Sequence, residues 1–196
     1  MTDWASVRYA VVDVEGNGQQ PPDLVEVAVV PIVSGVIGDP ASWLIKPPRP
    51  ISPIATRIHG LTNEDVVSAP AFATIASQVR QALDADVLVA HNAHIDVAVL
   101  RRHIDHWRCP EVVDTLKLAK KRLPSQASYK LGALVNAFSL ADGLPAGLSP
   151  HRATYDVLVT ARLFLRLVTR GDSALMQLED LRDGNPGYHS DAPSLF

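Results

Sequence analysis

Residues 8–15, RYAVVDVE, carry apolar side chains at both odd and even positions until the run meets two acids. A strand that is apolar on both faces must be covered on both, so this one is expected at the centre of a sheet with layers packed above and below. Residues 24–32 (LVEVAVVPI) read as a second strand and 42–45 as a shorter third, which suggests an antiparallel start to the sheet. The pattern then alternates. Residues 70–83 have helical apolar spacing, 87–90 (VLVA) form a buried strand, 93–103 a helix, and 112–113 a brief strand that ends where Asp114-Thr115 caps another helix. Two more helices are expected at 130–138 and 153–168, separated by a turn-rich loop at 141–150. This order implies an α/β fold, a mixed five-stranded β-sheet flanked by α-helices.

At 196 residues, 47% hydrophobic and 20% charged, the chain can bury one substantial core. A single domain over residues 1–183 is expected, with 184–196 (GNPGYHSDAPSLF) as a loose tail rich in turn residues. Without a bilayer-length apolar run or a signal-like amino terminus, the expected location is cytoplasmic. Cys109 is the only cysteine, which excludes an internal disulfide and a cysteine-built zinc site. A net charge of −3 argues against wrapping a long duplex, since such affinity comes from Lys and Arg neutralising phosphates. An enzyme that grips only a strand end escapes this objection, because cations in an acidic site cancel the local charge.

Side chains alternate along a strand, so Asp13 and Glu15 point to one face at the end of an otherwise apolar segment. Burying two anions side by side is unfavourable unless a cation sits between them or one takes up a proton. Hard divalent metals prefer such carboxylate oxygens. A strand end running into solvent would also explain the pair. Asp96 follows the strand 87–90 at a strand-to-helix corner, where α/β proteins place ligands. Its ordinary role would be to complement a helix dipole, with Asn92 as the cap. Asp156 lies on the apolar stripe of Val159, Thr160, Leu163 and Leu167, and an acid there requires a reason. His151, five residues earlier, belongs either to the preceding loop or, with Ser149-Pro150 as cap, to the first helical turn.

Three ordered segments resemble the motifs of the DEDDh family, the DnaQ-like 3′→5′ exonucleases of the RNase H-like superfamily. Asp13-Val14-Glu15-Gly16-Asn17-Gly18 matches Asp-x-Glu-x-x-Gly, and His91-Asn92-Ala93-His94-Ile95-Asp96 matches His-Asn-Ala-x-Phe-Asp except at Ile95. His151-Arg152-Ala153-Thr154-Tyr155-Asp156 matches His-Arg-Ala-x-x-Asp throughout. The likeness spans about residues 8–170. The tyrosine subtype of the superfamily would have Tyr four residues before the last acid, where this chain has Arg152; the histidine subtype fits.

The resemblance implies an RNase H-like fold and two divalent ions, Mg²⁺ or Mn²⁺, held by Asp13, Glu15, Asp96 and Asp156, with His151 as general base. It implies in-line hydrolysis at phosphorus with release of 5′-nucleoside monophosphates. The substrate would be a single-stranded DNA or RNA 3′ end or a short oligonucleotide, contacted by Gly16, Asn17, Ile58, His59, Leu61 and Asn92. Ile58 and Leu61 would equally serve to plug the core beneath their own loop. The basic residues Lys117, Lys120, Lys121, Arg122 and Lys130 would follow a phosphate backbone or form a solvated helix face. Two alternatives fit the same residues: a binding module that has lost turnover, and a phosphodiesterase for small nucleotides. A fused polymerase or helicase is not expected in so short a chain, but association with a polymerase or repair partner is compatible with it.

Overall fold

The computed structural model describes residues 3–169 and 177–181. The carboxy-terminal stretch expected to form a tail lies outside them. Strand β1 (Tyr9–Gly16) is central in the sheet, as its two apolar faces require. On one side it pairs antiparallel with β2 (Leu24–Val33), and on the other parallel with β5 (Val87–Ala90). Beyond β5 lies β6 (Glu111–Asp114), also parallel. The outer edge of β2 is shared by β3 (Val36–Ile37) at one end and β4 (Ala41–Leu44) at the other. The sheet therefore has six strands. Five are those read from sequence; the sixth is the two-residue β3, too short to show any periodicity.

Helices cover both faces. Tyr9 and Val11 of β1, Ala28, Val30 and Ile32 of β2, and Val89 of β5 pack against the long helix α6 (Ala153–Thr169). Helices α4 (Thr115–Arg122) and α5 (Leu131–Phe138) complete that layer. The opposite parity of β1, Ala10 and Val12, packs with Val27, Val29 and Leu88 against α2 (Phe72–Ala82) and α3 (His94–His103). A smaller cluster of Val25, Ile51, Ala55, Leu61 and Val66 lies beneath α1 (Pro53–His59). At the described carboxy-terminal segment, α7 (Leu178–Leu181) adds Leu181 to the α6 layer.

Helix α1 occupies a segment expected to be a loop. Its signals are local: the Ser52 Oγ accepts the Ala55 N–H at 3.2 Å, Pro53 opens the helix, and Gly60 closes it in the left-handed region at φ 78°. Seven residues give too little periodicity to reveal it, whereas the cap residues mark both ends. Among the described residues no helix is long and apolar enough to cross a membrane.

The feature that positions the site is a mismatch in strand length. β5 pairs with β1 only along Tyr9–Val11, so the remainder of β1 projects beyond it with one edge open. The acidic residues of β1 lie on this projection.

Candidate active site

Asp13 and Glu15 lie on the α6 side of β1, in register with Ala28 and Glu26 of β2. Helix α6 brings its first turn over that face and buries Asp156 there. Carboxylate oxygens of Asp13, Glu15 and Asp156 all lie within 4.8 Å of one another. The fourth acid arrives from the opposite layer. Asp96, in the first turn of α3, reaches the open edge of β1, where its Oδ1 accepts the Val14 N–H at 3.1 Å. The unpaired end of β1 thus gives Asp96 its anchoring hydrogen bond.

Packing four acids together pushes their protonation upward. Burial is the main cause for each, and neighbouring carboxylates add to it. Asp13 is raised well above the usual range by burial and by the charges of Asp96, Asp156 and Glu15. Glu15 is raised to about 8 and Asp96 to about 7, although hydrogen bonds from the Asp96 and Val14 amides oppose the latter shift. Asp156 reaches only about 6, because the neighbouring His151 partly offsets its burial. The Asp13 Oδ2 is buried with no hydrogen-bond partner. An orphaned carboxylate oxygen among three other raised acids suits a hard divalent cation, which would satisfy it and remove the repulsion. The donor set therefore fits the metal that the sequence suggests.

His151 stands at the margin of this cluster, exposed, in a left-handed turn with φ 61° immediately before α6. It belongs to the turn and not to the helix, which begins at Ala153. Its backbone N–H donates to Asp156 Oδ2 at 3.1 Å, so the five-residue interval between them closes a loop. The exonuclease family model of RNase T type matches residues 10–164, a span that includes all four acids and this histidine. The chain belongs to that exonuclease family. Exodeoxyribonuclease 10 of Escherichia coli strain K12 is 34% identical over 171 residues, 87% of this chain and 73% of that protein. The 3′-5′ exonuclease DinG of Bacillus subtilis is 31% identical over 83% of this chain, which spans 18% of its length. A solved structure of Exonuclease X with 5′ overhanging duplex DNA superposes with a TM-score of 0.72 at 32% identity, covering 88% of this chain and 98% of that one.

In this exonuclease the residues expected to touch substrate separate into two groups. Ile58 is 54% exposed on α1, and Ile95, beside Asp96, is 51% exposed. Asn92 sits in a left-handed turn at φ 66°, held by its N–H to Asp114 Oδ1 at 2.9 Å, and does not cap α3. Asp114 caps α4 through the Leu116 N–H, as expected of a structural acid. Gly16 ends β1 at an irregularity in register, and its carbonyl meets His59 Nε2 at 3.3 Å. His59 Nδ1 lies 3.0 Å from the Leu61 N–H, which must donate to it, so Nε2 carries the ring proton. Burial holds the pKa of this imidazole below its usual value.

Two expectations are corrected. Asn17 is fully buried: its amide donates to Asp23 Oδ2 and the Arg49 carbonyl, and its Oδ1 accepts from the Gln19 and Asp23 amides. Its side chain ties the β1–β2 connection together, which leaves nothing to offer a sugar or phosphate. Leu61 is 4% exposed in the cluster beneath α1 and fills core instead of facing a base.

Glu26 has no part in the sequence reading, and Arg152 enters it only as a motif position without a role. Arg152 donates to Glu26 through Nε at 3.0 Å and Nη2 at 2.9 Å, and Glu26 lies across from Glu15 of the acidic cluster. The signal was present as an acid in the interior of the apolar run 24–32. A separate recess of about 670 Å³, lined by Arg80, Asp86, Trp107 and Cys109 among others, lies at the amino-terminal ends of β5 and β6, away from the acids. Lys117, Lys120 and Lys121 are exposed on α4, and Lys121 Nζ donates to the Asp180 carbonyl at 3.0 Å.

Proposed function

We propose that this exonuclease removes nucleotides from the 3′ end of single-stranded DNA, with release of 5′-nucleoside monophosphates. The observation that carries the reading is the Asp13 Oδ2, buried and unpartnered among the oxygens of Glu15 and Asp156. Two divalent ions, Mg²⁺ or Mn²⁺, held by Asp13, Glu15, Asp96 and Asp156, would neutralise charge on the reacting phosphate and its entering and leaving oxygens. His151, exposed at the rim of the cluster, takes the proton of the attacking water. Its left-handed turn directs the backbone N–H to Asp156 and leaves the imidazole free of the helix. The exposed Ile58 and Ile95 supply apolar surface for the terminal bases. DNA is favoured because the relatives above 30% identity include an exodeoxyribonuclease and an exonuclease solved with DNA, and the 3′→5′ direction accords with the relative named for it.

The test is to incubate 5′-labelled single-stranded DNA, RNA and a dinucleotide with the protein and Mn²⁺, beside Asp13→Ala and His151→Ala variants. A ladder shortening from the 3′ end is expected on DNA. Asp13→Ala should abolish it, and His151→Ala should lower kcat by about 10²–10⁴-fold. Release of labelled mononucleotide at the earliest times, or full activity in Asp13→Ala, would contradict the reading. Turnover of the dinucleotide alone would identify a small-nucleotide phosphodiesterase instead.

A further inference from the structure

We infer that Glu26 and Arg152 are positioning residues that hold the His151 turn in place for catalysis. This rests on the assignment of His151 as base. Glu26 is 3% exposed on β2, directly across from Glu15. Its two oxygens receive three donors: Arg152 Nε at 3.0 Å and Ala153 N–H at 3.0 Å on Oε2, and Arg152 Nη2 at 2.9 Å on Oε1. The forked guanidinium fixes orientation as well as charge. The Ala153 N–H is one of the donors left without an intrahelical partner at the start of α6, so Glu26 caps this helix from a different element.

The clamp controls the turn more than the helix. Ala153, Val157, Ala161 and Phe164 are already buried against the sheet, so packing secures α6 itself. His151, by contrast, has φ 61°, a conformation unfavourable for a side chain with a Cβ, which persists only where its surroundings impose it. Two sets of hydrogen bonds impose it here. The His151 N–H is held by Asp156, and the next residue is held by Glu26. Loosening the second set lets the turn relax and carries the imidazole away from the reacting water. Displacement by about 1 Å can reduce a rate by about 10²-fold.

The experiment compares Arg152→Gln, Arg152→Lys and Glu26→Gln with the parent protein and with His151→Ala. It measures kcat, KM for a DNA oligonucleotide, Mn²⁺ binding by electron paramagnetic resonance and thermal unfolding. Arg152→Gln should lower kcat by about 10–100-fold, with KM changed less than about twofold and Mn²⁺ affinity less than about threefold. Arg152→Lys should recover part of the loss. Because the clamp acts through His151, the double variant His151→Ala, Arg152→Gln should be no slower than His151→Ala alone. Additive losses, or losses in kcat that merely follow the folded or Mn²⁺-binding fraction, would overturn the inference. Should Arg152→Gln not fold, Arg152→Lys decides by the same criteria, since Glu26 keeps the Ala153 bond. An undiminished kcat in His151→Ala would refute the base assignment itself, whereas a collapsed His151→Ala beside unaffected Arg152 variants would refute only the clamp.

Discussion

Asn17 illustrates how a residue inside a family motif can serve the scaffold. Its side chain makes four hydrogen bonds, to partners as far along the chain as Arg49, and removing it would leave the buried Asp23 amide without its acceptor and the Asp23 carboxylate with only its arginine partners. Asn17→Ala should therefore destabilise the protein by about 1–3 kcal/mol, measured by urea unfolding, while kcat on DNA at 20 °C changes little. A large fall in kcat at unchanged stability would restore Asn17 to the substrate site. The acids behave differently. Asp13, Glu15 and Asp156 were legible because a carboxylate on an apolar strand or helix face is anomalous wherever it occurs. Asn17 looked available because asparagine is at home both in turns and at binding sites, and only its three-dimensional partners distinguish the two.

At the scale of elements, α1 combines a packing role and an exposed role within a few residues. Leu61, just past its end, fills core, and Ile58 faces outward. Leu61→Ala should cost about 2–5 kcal/mol of stability and leave KM for oligonucleotides within experimental error when assayed well below Tm. Ile58→Ala should change stability by less than about 0.5 kcal/mol and raise KM, a split that thermal melts and initial-rate kinetics would reveal. Equal KM effects from both would mean that α1 moves as a unit and that Ile58 has no direct contact. The long elements were readable because β1, β2 and α6 each carry several turns or alternations of pattern. Helix α1 and strand β3 were not, since a seven-residue helix and a two-residue strand carry too few repeats.

For the molecule as a whole, the acidic cluster links stability to pH and to metal. Carboxyls whose folded pKa is raised stabilise the folded state at low pH, and that contribution is lost as pH climbs through the folded values. With Asp156 near 6, Asp96 near 7 and Glu15 near 8, metal-free protein should lose stability between about pH 4 and 8. In a chelator, Tm should fall across that window. Added Mn²⁺ should restore it, with a larger gain at pH 8 than at pH 5. Asp156→Asn, which removes a carboxylate ionised at pH 8, should raise the metal-free Tm at pH 8 by about 2–4 °C per kcal/mol of repulsion relieved, yet abolish nucleotide release. A Tm independent of pH in the chelator would show that the acids do not repel one another as their burial implies. The order of the longer strands and helices and the doubly covered centre of the sheet follow from the sequence alone, because patterning is a local property, whereas the four acids were picked out together by their resemblance to the exonuclease motifs. The convergence of Asp96 on β1 from the opposite layer, the placement of His151 in a turn and the clamp of Glu26 on Arg152 were decided only by tertiary structure. Each joins atoms whose proximity depends on strand register and layer packing, and no local pattern encodes those distances.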